Sequence, residues 1–145
     1  KDEFDDSMFM IHKKIDFIIN CTTINIENYI SILNEKYNKN ILYLNIPIND
    51  SRNELKRNNV LLLDNMNDIP STIYTYINTN KHVLIICESG TQTSLTIIAC
   101  YMIKYGRVDF DFVSHTLHSK HIKLDTNKNL YNYCIKQYYI QLKQQ

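Results

Sequence analysis

The chain has 145 residues, 44% of them hydrophobic and 21% charged, which suits one folded domain with a buried core. Its formal net charge is +1 and no run of Lys or Arg makes a basic stripe, so no nucleic-acid partner is expected. Apolar stretches such as Leu61–Leu63 and Val83–Ile86 are far too short to cross a membrane, and no membrane segment is expected.

The cysteines at 21, 87, 100 and 134 form no C-x-x-C pair, which argues against a zinc site or a thioredoxin-like motif. Their wide spacing, with a charged start at Lys1–Asp6 that has no signal-peptide core, leads to an expectation of reduced thiols in the cytoplasm. His115, His118 and His121 recur three apart, but no carboxylate or cysteine completes a ligand set, so neither metal nor cofactor is expected.

Alternating elements predict a single α/β domain over residues 1–145. Ile15–Cys21 is an isoleucine-rich run that predicts a buried strand. Ile26–Tyr37 carries Ile26, Ile30, Leu33 and Tyr37 at helical spacing, with Asn25 placed to cap it. Ile41–Ile46 predicts a second strand that Pro47 stops. Ser51–Asp68 reads as an irregular, polar, insertion-like stretch, a candidate for partner recognition. Pro70–Asn78 predicts a helix with Pro in its first turn. Val83–Ile86 is fully apolar and predicts a third, central strand. Helices are expected over about Ser94–Tyr105, with Gly106 as the residue just past its end, then Asp109–His118 and Asn127–Lys143. The last carries a stripe at Tyr131, Ile135, Tyr138 and Leu142 that would dock on the core, and Cys100 and Cys134 lie on apolar helix faces.

The segment Cys87-Glu88-Ser89-Gly90-Thr91-Gln92-Thr93-Ser94 joins the third strand to a helix. A tight loop at a helix N-terminus points backbone N–H groups inward and makes an anion site, and a cysteine at its mouth would have its thiolate stabilised there. Gly90 removes the Cβ where such a loop must turn. A cysteine closing an apolar strand is also, in many proteins, simply a small core residue. The local residues leave both readings open.

Three blocks in order carry a resemblance. Cys87, Gly90, Ser94 and Thr96, followed by Cys100-Tyr101-Met102-Ile103, resemble the phosphate-binding signature and following helix of the dual-specificity branch of cysteine-based phosphatases. Tyr43-Leu44-Asn45-Ile46-Pro47-Ile48-Asn49-Asp50 resembles that family's strand and general-acid loop. Val113–Asn127, with His121, Leu124, Thr126 and Asn127 at the matching places, resembles the family's helix and Arg-Pro-x-Ile-x-Pro-Asn stretch. The resemblance covers about residues 8–142 and implies a mixed, mostly parallel sheet flanked by helices. It implies Cys87 as nucleophile, Asp50 as general acid and Ser94 as the hydroxyl that helps the thiolate leave, with residues 87–93 as the phosphate loop. Asp50 is also ordinary turn chemistry in Ile-Pro-Ile-Asn-Asp-Ser.

The departures are specific. The family's arginine falls on Thr93 and its histidine before the cysteine on Ile86, while Glu88 adds a carboxylate to the loop. Threonine has one neutral hydroxyl and cannot replace a planar, bidentate cation at a phosphoryl group. Only Arg52, Arg57 and Arg107 occur elsewhere, and none is near in sequence. The expectation is a pseudophosphatase that binds or scaffolds phosphoproteins. A weak, arginine-free phosphatase and a redox-sensing thiol at Cys87 are the alternatives.

Overall fold

Strand β1 (Ile15–Asn20) is the centre of the architecture, with β2 (Leu42–Asn45) on one side and β3 (His82–Ile86) on the other, all parallel, in the order β2-β1-β3. The computed structural model describes residues 10–11, 13–49, 51–88, 92–119 and 131–145. The register sets Ile19 beside Leu44 on β2 and Ile85 on β3. Successive side chains of a strand face opposite ways, so β1 feeds two clusters. Phe17 and Ile19 join the larger one, and Ile18 the smaller. A register shift between Ile15 and Phe17 breaks the alternation and leaves Ile15 on the side of Ile18.

Helix α1 (Glu27–Tyr37) covers the smaller cluster with Ile30 and Leu33, one helical turn apart. Ile26, not Asn25, takes the N-cap position, because the helix begins one residue later than expected; Asn25 accepts the Glu27 N–H at 2.9 Å from one residue before the cap. Asn38 ends the helix in the left-handed region, where asparagine is tolerated. Asn34 then brackets Ile41, donating to its carbonyl at 3.0 Å and accepting its N–H at 2.8 Å. That pair sets the chain entering β2.

Helices α2 (Leu55–Asn65), α3 (Ile69–Asn78), α4 (Thr93–Gly106), α5 (Phe110–Ser119) and α6 (Asn132–Lys143) complete the described elements. Most of their buried side chains join the larger cluster. Tyr76 of α3 stacks on Phe17 of β1 with ring centroids 4.8 Å apart. The predicted stripe on α6 is buried at Tyr131, Ile135 and Tyr138. No helix among the described residues is long and apolar enough to cross a membrane.

Two further expectations need correction. The stretch Ser51–Asp68 is not irregular: a 3-10 turn at Arg52–Glu54 leads into α2, which buries Asn58, Asn59 and Leu62, with Met66 just beyond. Two asparagines at inward positions disguise the helical period as polar sequence. Their side chains are used up in the interior, since Asn58 donates to the Asn49 carbonyl at 2.7 Å and Asn59 accepts the Cys134 N–H at 3.1 Å. Strand β3, expected to be central, pairs among the described residues only with β1 and is partly buried over Val83–Ile86. Gly106 is the last helical residue of α4, and Arg107, at φ 54°, takes the left-handed position beyond it.

Cys100 on α4 and Cys134 on α6 are both fully buried and both free thiols. Burial, then the hydrogen bond to Cys134, holds the Cys100 thiol well above its usual range, and burial first also raises the Tyr138 phenol. The folded state therefore keeps these protons to a higher pH than the unfolded chain does. Their contribution is full below the unfolded thiol range, about 8.5, and is lost as pH climbs from there towards the raised folded values. A melting series from neutral pH into the alkaline range should show a shallower decline in Cys100→Ala than in the natural chain; equal slopes would contradict this. Replacing Asn58 by Leu should cost about 1–3 kcal/mol by denaturant titration, since it removes a fully buried carboxamide that holds the Asn49 carbonyl and the Tyr131 hydroxyl. An exposed insertion would lose no more than about 0.5 kcal/mol.

Candidate functional site

The three strands end at one level and are pinned there. The Cys21 N–H donates to the Ile86 carbonyl at 2.7 Å, and the Ile46 N–H to the Asn20 carbonyl at 2.8 Å. Asn20 is fully buried and serves as a polar knot. Its amide donates to the Ile24 carbonyl at 2.8 Å and to Asn45 at 3.2 Å, and its oxygen accepts the Thr22 hydroxyl at 2.7 Å. Sequence reading missed Asn20 and Thr22. The available signal was an asparagine closing an otherwise apolar run, at the carboxyl edge of a parallel sheet, where α/β proteins bind ligands.

Cys87 follows directly on β3 and is half-buried, packed against the larger cluster. The Ser94 hydroxyl donates to its sulfur at 2.9 Å. Ser94 is the second residue of α4, so the first turn of that helix carries the group that touches the thiol. Gln92 precedes the helix, and its carbonyl accepts both the N–H of Thr96, at 3.1 Å, and the Thr96 hydroxyl, at 2.8 Å. This double tie fixes where the helix begins.

Thr93, the sixth residue after Cys87, is fully buried, and its hydroxyl oxygen has no hydrogen-bond partner among the described residues. Glu88 is exposed. Ser89, Gly90 and Thr91 of the loop, and Asp50, lie outside the described residues, as does His121. Asn49, just before Asp50, is held by Asn58 of α2, which also donates to the Tyr131 hydroxyl at 3.4 Å. Among the described residues, therefore, the structure brings together Cys87 and Ser94, with Thr93 and Gln92 beside them, and anchors the chain on the way into Asp50.

Of the three arginines, Arg57 and Arg107 have described side chains. Arg57 is an exposed side chain of α2, 3.9 Å from Glu54 of the preceding 3-10 turn. Arg107 lies past the far end of α4, a helix of 14 residues and so roughly 21 Å long. No group of three or more His, Cys, Asp or Glu side chains among the described residues is placed to hold a metal. His115 is exposed.

A half-buried cysteine thus stands at the carboxyl end of a parallel strand of an α/β sheet, with a hydroxyl from the first turn of the next helix on its sulfur. The family model described as dual specificity phosphatase, catalytic domain, matches residues 3–139, and the chain belongs to that family. No curated protein matches the sequence.

Among the four cysteines only Cys87 offers a partly exposed sulfur-bearing side chain, since Cys21, Cys100 and Cys134 are 0–1% exposed. Treatment of the folded protein with a substoichiometric alkylating reagent should therefore label Cys87 alone, as read by peptide mass mapping. Equal labelling at Cys100 or Cys134 would contradict this packing.

Proposed function

We propose that the domain is a pseudophosphatase, which keeps the dual specificity phosphatase scaffold as a binding or scaffolding module for phosphoproteins. The observation that carries the reading is Thr93. Where the resemblance calls for a guanidinium fork, the chain has a buried, neutral hydroxyl with no partner among the described residues. A loop of this kind still offers backbone N–H groups and the N-terminal end of α4, which favour an anion without supplying the charge that the transition state of phosphoryl transfer needs. Ile86 in place of the loop's histidine and the exposed Glu88 act in the same direction.

One observation favours a second reading, a weak phosphatase in which Cys87 is the nucleophile and Asp50 the general acid. The Ser94 hydroxyl, 2.9 Å from the Cys87 sulfur, is placed to stabilise a thiolate and to assist its departure from a phosphorylated intermediate. In that reaction the sulfur would take the phosphoryl group as the leaving oxygen receives a proton, and water would then release phosphate.

Hydrolysis of an aryl phosphate by the natural chain and by Thr93→Arg separates the two readings. The pseudophosphatase reading expects background turnover in the natural chain. It expects a gain of about 10²-fold or more in the variant, the scale of one restored transition-state donor. Because Thr93 is buried, circular dichroism of the variant must first show an intact fold. Clear turnover by the natural chain, abolished in Cys87→Ser, would establish the second reading instead.

A further inference from the structure

Helices α4 and α6 pack against each other within the larger core cluster. Each brings one cysteine to it: Cys100, in the middle of α4, and Cys134, in the first turn of α6. Both side chains are 0% exposed, both thiols are free, and the two are hydrogen-bonded to each other. Their surroundings are fixed. The Cys134 N–H donates to the Asn59 side chain of α2 at 3.1 Å, and Tyr138, one turn further along α6, is buried in the same cluster.

One buried cysteine alone serves as a small apolar side chain. Two whose thiols touch across a pair of helices meet a further condition, since a disulfide forms only between side chains that face each other at close approach. Among the described residues no group of three or more His, Cys, Asp or Glu side chains is placed to hold a metal, so the pair is not part of a zinc set. We propose that Cys100 and Cys134 are a latent crosslink, which a small-molecule disulfide converts into a bond between α4 and α6. One protein thiol gives its proton to water and attacks the small disulfide, whose leaving thiolate takes up a proton. The second protein thiol loses its proton in turn and displaces the other half from the mixed disulfide. The protein exchanges two S–H bonds for one S–S bond, and the oxidant is reduced to two thiols.

Burial sets the rate. The attacking species is a thiolate that the oxidant must reach, and both sulfurs are shut off from solvent, so reaction waits on an opening of the first turn of α6. Once formed, the bond is shielded from reducing thiols in the same way. It closes the chain between residues 100 and 134 and makes α5 part of a loop tied at both ends, which restricts the unfolded state. The helix it anchors is the one whose Ser94 reaches Cys87. No residue of the Cys87 loop takes part, so the crosslink stands whether or not that loop turns over phosphate.

The test uses the whole chain, both natural and with Cys87→Ser, which removes the half-buried thiol. Oxidised glutathione should give a product lighter by two hydrogens in intact mass, and a non-reduced peptide map should join the Cys100 peptide to the Cys134 peptide. Conversion should speed up in urea well short of the unfolding transition, because opening limits it. The product should melt about 5–10 °C higher than the dithiol form, a gain that dithiothreitol reverses. Cys100→Ala and Cys134→Ala, each shown to be folded by circular dichroism, should yield no such product. Several results would overturn the proposal: no reaction short of unfolding, a glutathione adduct on Cys100 or Cys134 as the end product, or a crosslinked form that melts lower. A bond from either thiol to Cys21, or to Cys87 in the natural chain, would overturn it too, since the pair would then not be each other's partner.

Discussion

The ladder that joins β1 to both neighbours decides where everything else can stand. Its register, with Asn20 beside Asn45 and Ile86, brings the three strand ends to a common level, and the added bond from Cys21 to the Ile86 carbonyl extends the pairing one step further. Cys87 is therefore delivered by a backbone that cannot slide without losing several hydrogen bonds at once. A slip of one residue would also turn the strand's buried face outward. The helix that follows takes its starting point from the same place, through the Gln92 carbonyl shared by two donors of Thr96.

Asparagine does much of the joining in this chain. Asn34 fixes the entry to β2, Asn20 gathers the turn at Thr22 and Ile24, and Asn58 and Asn59 fasten α2 to the Asn49 segment and to α6. Each carboxamide can accept and donate together, which lets one side chain satisfy two backbone groups in a place that water does not reach. The cost of such a device is sensitivity: removal of one partner leaves a buried polar group without compensation. The same side chains that make the interior specific thus make it intolerant of change at a small number of positions.

Much of this was legible in the residues. The strands, α1 and the burial of Tyr131, Ile135 and Tyr138 follow from apolar period and length, because those segments use ordinary hydrophobic side chains on their inward faces. Helix α2 was not legible, since its inward face is half asparagine and single-residue polarity gives no hint that a carboxamide is paired inside. The partial burial of β3 was also hidden: four apolar residues in a row fit a fully covered strand as well as one whose side chains stay partly exposed. At the site, the pairing of Cys87 with Ser94 follows from their places at a strand end and a helix start. The buried state of Thr93 depended on how α4 packs, which no local pattern encodes.

Among the described residues, Lys14, Asn38, Asn80 and Arg107 take the left-handed backbone conformation. The two asparagines do so at little cost, but a left-handed Lys or Arg is strained by roughly 1–2 kcal/mol. Lys14 sits just before β1 and Arg107 just after α4, so two principal elements are joined to the rest of the chain by residues under strain. Against a net stability of about 5–15 kcal/mol for a typical domain, that is a real fraction of the margin. A partner present at 100 times its Kd would contribute about 2.7 kcal/mol, a comparable quantity. Any ligand that bound only the folded state would therefore raise the folded fraction by an amount comparable to that strain.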